Sequence, residues 1–277
     1  RKGLPTEVIT LDPRATSAME FRGPLFKFTV CPRRSRGLSR SLYSREIAHL
    51  REALRRSDAD VVHAHWAYEY GLAAVGGKRP TLLTVHDHAG SILRIFGRAY
   101  AVNFLISVYV IRLMRHLAAV SHYNAQFVRR VAGRPVHVIP NPAPPKCLDL
   151  GDKLAGTPLF KSGAPVVASA ISAAEFKNPR MALRAFDVLR RRRPGSRYCL
   201  MGDGLHAQGD VAAWARENGL AEGVEFMGPR SHEEALRVMA ESDMVLHPST
   251  EEACSCTIVE AMAMGRAVVA GLGVGGT

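Results

Sequence analysis

Residues 246–277, with the sequence LHPSTEEACSCTIVEAMAMGRAVVAGLGVGGT, carry the clearest fold signal in the chain. Their pattern predicts a strand that ends at Leu246, a polar loop, a helix over residues 256–264 and a strand over residues 267–270. Gly265 stands just after the predicted helix, where glycine commonly ends one. A strand, a helix and a second strand in this order predict a βαβ unit with parallel strands.

The same alternation recurs along the chain. Short apolar, β-branched runs predict strands over residues 7–10, 61–63, 81–85, 117–120, 136–139, 166–170, 198–201, 224–226 and 244–246. Apolar residues at three- and four-residue spacing predict helices over residues 45–56, 179–193 and 233–242. The strands are apolar throughout rather than alternating, which is typical of parallel sheets covered on both faces. The chain is therefore predicted to have an α/β fold.

Residues 140–165 interrupt this alternation of predicted strands and helices. They begin with PNPAPP and continue with a polar stretch rich in glycine and proline, which opposes both helix and strand. We therefore predict an N-terminal Rossmann-like domain over residues 1–143, a linker region over 144–165 and a C-terminal Rossmann-like domain over 166–277.

The composition limits the class of protein. Apolar residues make up 47% of the 277, which excludes a disordered or fibrous chain. The five cysteines are odd in number and lack zinc-site spacing, so we predict reduced thiols. The longest apolar run, residues 99–113, is interrupted by Asn103 and Arg112 and is predicted to be too short to span a bilayer.

Positive charge is concentrated in the first half. Residues 1–150 contain 23 Lys plus Arg against 10 Asp plus Glu, a net of +13, whereas residues 151–277 contain 14 against 15, a net of −1. A basic half indicates an anionic partner, such as nucleic acid, an anionic membrane surface or a phosphorylated substrate. The alternative is a set of solvated arginines without a partner.

The start of the predicted helix at residue 256 is a candidate phosphate site. It would present free backbone N–H groups at the carboxyl edge of a parallel sheet, where such folds bind ligands. Glu260, one turn into the helix, could accept hydrogen bonds from ribose hydroxyls, and Glu252 could hold the hydroxyls of a second sugar. The alternative is that acidic residues here only interact with the helix dipole, which is our interpretation of Glu251.

Histidines form a second cluster in the first half. His63 and His65 end one predicted strand, and His86 and His88 end the next, with Asp87 between them. Such HxH and HDH patterns suggest metal ligands of a metal-dependent hydrolase. No carboxylate set at a familiar spacing follows them, so the alternatives for His63, His65 and His88 are packing or surface roles.

Residues 246–277 resemble the signature of retaining glycosyltransferases of the GT-B fold, specifically glycosyltransferase family 4. Glu252 and Glu260 stand eight apart, as that pattern requires, and Ser255 occupies a position that is often glycine. The resemblance implies that Glu252 contacts the donor sugar and Glu260 the nucleotide ribose. The backbone that would hold the diphosphate belongs to Cys254, Ser255, Cys256 and Thr257.

Three further segments carry the resemblance, which extends over residues 60–277. In EFKNPRMALRAFDVLRRRRPGSRYCLMGDG, residues 175–204, it implies that Lys177 binds the diphosphate and that Gly202 and Asp203 form the turn beneath the nucleotide. An arginine that often precedes this lysine is replaced by Ser172. In DVVHAHW, residues 60–66, and TVHD, residues 84–87, it places His86 at the cleft between two Rossmann-like domains, near donor sugar and acceptor.

The resemblance also implies that the chain is partial. The family begins with a strand and continues past the glycine-rich loop, so we expect both domains to be incomplete. The N-terminal domain would lack its first strand and the C-terminal domain would be truncated. We therefore expect these 277 residues alone to be poorly active.

The predicted function is transfer of a sugar from a nucleotide-diphosphate-sugar to an acceptor hydroxyl with retention, in cell-surface polysaccharide or glycolipid synthesis. His86, Glu252 and Lys177 are the predicted catalytic residues. No metal or cofactor is expected, because Lys177 and the helix start supply positive potential. The expected acceptor is lipid-linked or a saccharide, with no nucleic acid, and the expected location is the cytoplasm, peripheral on the inner face of an anionic membrane. The alternatives are a metal-dependent hydrolase that uses His63, His65, His86 and His88, and a non-catalytic nucleotide-sugar-binding protein.

Overall fold

The structure is a computed structural model that describes residues 3–35, 38, 41–154 and 163–276. Its contacts divide the chain into two compact units, Arg1–Pro140 and Asn141–Thr277. Each unit combines helices with a mainly parallel sheet, which confirms the predicted α/β class.

The first unit contains seven strands and five α-helices among its described residues. They are β1 (Thr6–Asp12), β2 (Met19–Gly23), β3 (Phe26–Pro32), α1 (Ser44–Arg56), β4 (Val62–His65), α2 (Glu69–Ala74), β5 (Thr81–Val85), α3 (Ala89–Phe96), α4 (Ala101–Leu113), β6 (His116–Ala119), α5 (His122–Ala132) and β7 (His137–Val138). β4, β5, β6 and β7 form a parallel sheet in that order. A smaller sheet has the order β1-β3-β2, with β1 parallel and β2 antiparallel to β3.

The second unit is built on one five-stranded parallel sheet. Its elements are α6 (Pro145–Leu154), β8 (Val166–Ala170), α7 (Pro179–Arg192), β9 (Arg197–Met201), α8 (Asp210–Glu217), β10 (Val224–Gly228), α9 (His232–Glu241), β11 (Met244–His247), α10 (Cys256–Ala263) and β12 (Ala267–Ala270). The strand order is β10-β9-β8-β11-β12, so the chain order reverses direction across the sheet at β8. In such a sheet the loops that follow neighbouring strands meet at the carboxyl edge.

Each unit buries its own apolar core. In the first unit the fully buried side chains of Leu83, Val110 and Leu117 join the sheet to α4. In the second unit Phe186 of α7 packs on Tyr198 of β9, with 5.1 Å between ring centroids. Burial of such side chains is the main stabilising contribution to each unit.

Two strands were not predicted from the sequence. Every residue of β2 is exposed, and β3 alternates charged and apolar residues only over its first half. Without a buried run, β2 carries no strong strand signal; it is held by antiparallel pairing with β3.

Part of the predicted linker over residues 144–165 is helical. α6 spans Pro145–Leu154 there, and its Cys147 is completely buried in the core of the second unit. Gly151 of α6 lies so close to α10 that an added Cβ would sit 2.5 Å from the carbonyl oxygen of Ala263. The proline and glycine that indicated a linker therefore begin a helix and permit a close helix contact. Residues 155–162 of the predicted linker lie outside the described residues.

The apolar stretch before β6 is longer than the sequence analysis indicated. Within the described chain, Ala89–Leu113 is the one helical stretch that meets the length and composition of a membrane span. It consists of α3, a 3₁₀ turn over Gly97–Tyr100, and α4. Residues 99–113, considered alone in the sequence, therefore belong to a longer helical stretch, because α3 and the 3₁₀ turn precede α4.

Candidate active site

The loops that follow β8, β9, β10 and β11 meet at the carboxyl edge of the second unit's sheet. α10 begins at the same edge, where the Thr257 hydroxyl donates to the carbonyl oxygen of Ala170 at 3.2 Å. This bond fixes the first turn of α10 to the end of β8. The predicted site residues of the second unit lie on these loops and on α10.

A lysine, a glutamate and a histidine form the centre of this edge. The Lys177 ammonium donates to Glu252 Oε1 at 2.5 Å, and His247 Nε2 lies 2.8 Å from the same oxygen. Ser249 Oγ is 3.1 Å from His247 Nε2. His247 is buried and Glu252 is largely buried, with side chains 2% and 10% exposed. We call Lys177, His247, Ser249 and Glu252 the Glu252 cluster.

The Glu252 cluster keeps its carboxylate ionised. Burial opposes the charged form of Glu252, but the hydrogen bonds from His247 and Lys177 and the charge of Lys177 outweigh it, so the pKa falls to about 2. The Lys177 ammonium is therefore paired with a full negative charge. A diphosphate that reached Lys177 would have to share the ammonium with Glu252.

The loop that carries Glu252 is held by backbone bonds on both sides. Glu252 N donates to the Val274 carbonyl at 3.2 Å, and Gly276 N donates to the Glu252 carbonyl at 2.8 Å. On the other side, Thr250 N donates to the Phe176 carbonyl at 2.8 Å, beside Lys177. The glycine-rich segment after β12 thus positions Glu252 directly.

The start of α10 differs from the bare helix start that we expected. Ser255 is the N-cap residue, and its hydroxyl accepts a hydrogen bond from Ile258 N at 3.4 Å. Among the hydrogen bonds of the described residues, none engages the N–H of Cys256 or Thr257. The expectation of free N–H groups was therefore wrong for Ile258, because the serine that replaces glycine caps its N–H. The N–H groups of Cys256 and Thr257 remain for a ligand.

Asn141 braces the residues before α10. Its side-chain amide donates to the Cys254 carbonyl at 3.1 Å and lies 3.6 Å from Cys256 Sγ. All five cysteines of the chain are free. Burial raises the pKa of the Cys256 thiol, so Cys256 is held as a neutral thiol beside the helix start.

Glu260 lies one turn into α10, as predicted, and is buried. Its Oε1 is 2.7 Å from Nε2 of His232, the first residue of α9. The His232 side chain is 61% exposed, so this partner stands on the solvent side of Glu260. Hydroxyl groups of a ligand would replace or extend this single contact.

The GDG turn after β9 requires its first glycine. Gly202 has φ +137°, and an added Cβ would lie 1.5 Å from the carbonyl oxygen of Ile171. Next to it, Ala173 N donates to the Asp203 carbonyl at 2.8 Å. The turn therefore supports the loop that leads to Lys177, which is a positioning role for Gly202 and Asp203.

The first unit contains a separate histidine cluster. His65 Nδ1 lies 2.7 Å from His86 Nε2, and His63 Nε2 lies 2.7 Å from the Thr84 hydroxyl. The rings of His63 and His65 are 4.1 Å apart. Trp66 has φ +72° and faces His86 at 5.4 Å between centroids.

These histidines are neutral at pH 7. Burial and the neighbouring histidines lower the pKa of His86 to about 4, and burial also lowers the pKa of His63 and His65. Among the residues that the structure describes, no group of three or more His, Cys, Asp or Glu is arranged to hold a metal ion. The ring nitrogens of His63 and His65 engage different partners, so the metal-hydrolase alternative has no support.

His88 and Asp87 have structural roles. His88 is the N-cap of α3, where Nδ1 accepts from Ser91 N at 3.1 Å, and its ring packs on Phe127 at 4.4 Å. Asp87 accepts a hydrogen bond from the Tyr68 hydroxyl at 2.6 Å. Of the packing and surface roles given as alternatives, His88 has the contacts of a packed residue, and His65 is exposed and contacts His86.

Two family profiles match the chain. Residues 1–146 match Glycosyltransferase Family 4, and residues 164–276 match Glycosyl transferases group 1. The chain belongs to glycosyltransferase family 4. The membership of family 4 that the sequence predicted is thereby confirmed, and the second match contains the Glu252 cluster and α10.

Curated relatives of this family 4 chain are matched over short segments. The D-inositol 3-phosphate glycosyltransferase of Mycobacterium sp. (strain KMS) is 42% identical over 69 residues, which are 25% of this chain and 16% of the relative. The enzyme of the same name from Nocardia farcinica (strain IFM 10152) is 32% identical over 114 residues, 39% of this chain and 25% of the relative. The chain thus matches a quarter or less of the length of these two relatives.

Solved structures confirm the GT-B fold for this family 4 chain. Sucrose-phosphate synthase from Thermosynechococcus elongatus has a TM-score of 0.72 at 16% identity, covering 95% of this chain and 70% of that one. WaaG, a glycosyltransferase involved in lipopolysaccharide biosynthesis, has a TM-score of 0.68 at 16% identity, covering 99% and 74%. Anabaena HepE in complex with UDP-glucose has a TM-score of 0.63 at 19% identity, covering 95% and 80%.

The structure brings together the predicted pair Lys177 and Glu252 and surrounds it with residues that sequence reasoning missed. His247 and Ser249 belong to the quoted HPS motif, but no role was predicted for them. His232, beside Glu260, gave no sequence signal, because it lies 28 residues away on another helix. The HPS motif was the available signal, since His247 is the last residue of β11 and Ser249 follows it.

Proposed function

We propose that the protein transfers a sugar from a nucleotide-diphosphate-sugar to an acceptor hydroxyl with retention at the anomeric carbon. The observation that carries the proposal is the Glu252 cluster beside the first turn of α10, at the carboxyl edge of a parallel sheet. An ammonium and two backbone N–H groups lie beside a buried carboxylate there. They suit a ligand that joins a diphosphate to a sugar.

The proposed chemistry separates the roles of these groups. As the bond between the anomeric carbon and the diphosphate breaks, negative charge accumulates on the departing oxygen. Lys177 and the N–H groups of Cys256 and Thr257 would stabilise that charge. The acceptor hydroxyl attacks from the same face and gives its proton to the departing phosphate oxygen. Glu252 would hold sugar hydroxyls, and Glu260 the ribose hydroxyls.

His86 would contribute from the first unit. Its lowered pKa, about 4, keeps the imidazole neutral at pH 7, so it offers a hydrogen bond to a reacting sugar without adding charge. His65 fixes the ring through its 2.7 Å contact. We assign His86 to the reacting sugar and His65 to positioning.

The donor and acceptor classes extend the proposal. HepE binds UDP-glucose in its crystal structure, so UDP-sugars are the first donors to test. We propose a lipid-linked or saccharide acceptor, in polysaccharide or glycolipid synthesis, and a cytoplasmic location peripheral to an anionic membrane. The excess of basic residues in the first half supports this location.

A transfer assay with the full-length protein tests the reaction. The anomeric configuration of the product, followed by proton NMR from the start of turnover, should match that of the donor. An inverted product would contradict retention. Replacement of Lys177 by Ala should lower turnover about 100-fold, by the loss of one charge-stabilising group, whereas Lys153→Ala on α6 is a matched control that should leave turnover unchanged.

We also propose that the reaction needs no divalent metal, because Lys177 and the start of α10 supply the positive potential. Turnover should survive an excess of chelator. Loss of turnover with chelator and recovery with added magnesium or manganese would overturn this part alone. Binding of a nucleoside diphosphate without turnover by the full-length protein would favour a non-catalytic binding protein.

A further inference from the structure

The first unit carries an exposed apolar surface on α3 and α4. We call it the apolar ridge; its members are Ile95, Phe96, Tyr100, Leu105, Tyr109 and Leu113. Leu105 is 65% exposed, Tyr109 56% and Leu113 49%. Large apolar side chains grouped on one surface at this exposure indicate a binding surface rather than scattered surface residues.

α4 is apolar on both faces, but only one of them is covered. Ile106, Val110 and Ile111 pack into the core of the first unit. Leu105, Tyr109 and Leu113 follow each other at four-residue intervals along the opposite face. A helix that is apolar all round is expected to be surrounded by apolar material, and the outer face meets no such cover in the described residues.

The stretch of sequence that contains the apolar ridge is rich in arginine and contains no acidic residue. Residues 88–140 contain seven arginines and no Asp, Glu or Lys. Arg98 lies in the 3₁₀ turn between Phe96 and Tyr100, and Arg112 precedes Leu113 on α4; both are exposed. Aromatic and aliphatic side chains set among arginines are typical of segments that lie at a membrane interface.

The geometry indicates that this segment lies on a membrane rather than through it. Gly97, at φ +66°, ends α3 and begins the turn that separates it from α4, and the two helices pack on each other. The inner face of α4 is part of the folded core. A spanning arrangement would require that core to open, whereas an interfacial one leaves it intact.

We propose that the apolar ridge inserts into the headgroup region of an anionic lipid bilayer, with Arg98 and Arg112 bound to lipid phosphates. This inference rests on the membrane location in the proposed function, and it names the surface of the fold that contacts the membrane. It does not depend on sugar transfer, because binding to lipid requires neither donor nor acceptor.

Charge favours lipid over a second copy of the chain as the occupant. A two-fold dimer brings identical surfaces together, so the arginines of one ridge would face those of the other. Residues 88–140 supply no carboxylate to pair with them. Anionic headgroups supply both the negative charge and the apolar phase, so one partner satisfies both features of the ridge.

Vesicle co-sedimentation of the full-length protein tests the proposal. Vesicles of phosphatidylcholine alone are compared with vesicles containing phosphatidylglycerol, at low and high salt. The protein should bind the anionic vesicles, and high salt should weaken binding. Replacement of Leu105, Tyr109 and Leu113 together by Ser should reduce binding at least tenfold. Each of Arg98→Gln and Arg112→Gln should reduce it about fivefold, as expected for one basic residue near an anionic surface.

A matched control separates this surface from general apolar exposure. Met181 and Val188, which are 49% and 53% exposed on α7, are replaced together by Ser. This variant should bind vesicles as the parent does. Unfolding midpoints of all variants confirm that each is folded, and nucleotide binding, measured separately, shows whether the donor site is intact.

Three results would overturn the proposal. The first is equal binding of the parent and the ridge variant to anionic vesicles, and the second is no preference of the parent for anionic over neutral vesicles. The third is a parent that is dimeric by sedimentation velocity and becomes monomeric in the ridge variant, which would assign the ridge to a second copy. Failure of vesicle binding with nucleotide binding retained would remove the proposed membrane location and leave the proposed sugar transfer standing.

Discussion

Glu252 shows how one buried carboxylate is held in its charged form. His247 and Lys177 both contact Oε1, and the interaction must offset the cost of burying the charge. Removal of either partner would leave that charge partly uncompensated. The contacts with Lys177 and His247 therefore stabilise both the charge of Glu252 and the loop that carries it.

The lowered pKa of Glu252 makes the stability of the chain depend on pH. Because its pKa is about 2 in the folded state and 4.5 ordinarily, Glu252 contributes stability above pH 4.5 that is lost as pH falls through about 2. Glu252→Gln should abolish this pH-dependent contribution to the free energy of unfolding, which is on the order of 3 kcal/mol. The free energy of unfolding of the parent should fall more steeply with acid than that of the variant, and parallel curves would contradict the assignment.

His86 gives a second, independent pH prediction. Its pKa of about 4 lies below the ordinary 6.5, so His86 favours the folded state above pH 6.5, and this contribution is lost as pH falls through about 4. In an NMR titration, the imidazole signal that disappears in His86→Gln should have its midpoint below pH 5. A midpoint near 6.5 would show that His86 is solvated and not held by His65.

At the scale of single residues, sequence indicated the chemistry but not the pairing. Lys177 and Glu252 were both singled out, yet they are 75 residues apart, and nothing in the spacing says that they bind each other. The Ser255 cap was not predicted, because the family pattern drew attention only to the glycine that is absent at this position. In the structure, the serine hydroxyl accepts a hydrogen bond from the first turn of α10.

At the scale of elements, the strand-to-helix turns carry the strictest local requirements. The turn after β9 brings Gly202 against the carbonyl of Ile171, and Ile171 begins the loop that leads to Lys177. Gly202→Ala should therefore cost more than about 4 kcal/mol or prevent folding. Gly219, at φ +68° with open space around it, is the control, and Gly219→Ala should cost about 1–2 kcal/mol. Similar losses in denaturant unfolding would contradict the predicted clash.

The cap of α10 can be measured against another cap in the same unit. Ser231 forms a capping box with Glu234 at the start of α9, whereas Ser255 makes one long bond of 3.4 Å. Ser255→Ala should cost about 0.5 kcal/mol and Ser231→Ala about 1 kcal/mol. Ser255→Gly should retain nucleotide binding. A larger loss for Ser255→Ala than for Ser231→Ala would mean that Ser255 has further partners.

Strands and helices were predicted correctly where burial leaves a recognisable pattern of apolar residues in the sequence. All ten predicted strands overlap observed ones. Buried strands such as β6 and β8 leave continuous apolar runs because they are covered on both faces. β2 is exposed along its length and gave no such run. The sequence analysis did not predict α6, because its proline and glycine are typical of a linker. Pro145 occupies the first position of the helix, where proline is tolerated.

At the scale of the molecule, the two units differ in charge and in the kind of site they carry. The first half holds the basic excess, the neutral histidine cluster and the apolar ridge. The second holds the Glu252 cluster and the start of α10. This division underlies our proposal of a donor site in the second unit and of acceptor and lipid contacts in the first.

Nucleotide binding by the full-length protein tests the central claim most directly, namely that the start of α10 with Lys177, Glu252 and Glu260 holds an activated sugar. A nucleoside diphosphate at 100 times its Kd should raise the unfolding midpoint by about 5–10 °C. Glu260→Ala should remove the shift for every nucleotide, and Glu252→Gln should mainly remove discrimination among sugars. An undiminished shift in Glu260→Ala, or no shift with any nucleotide in the parent, would contradict the account.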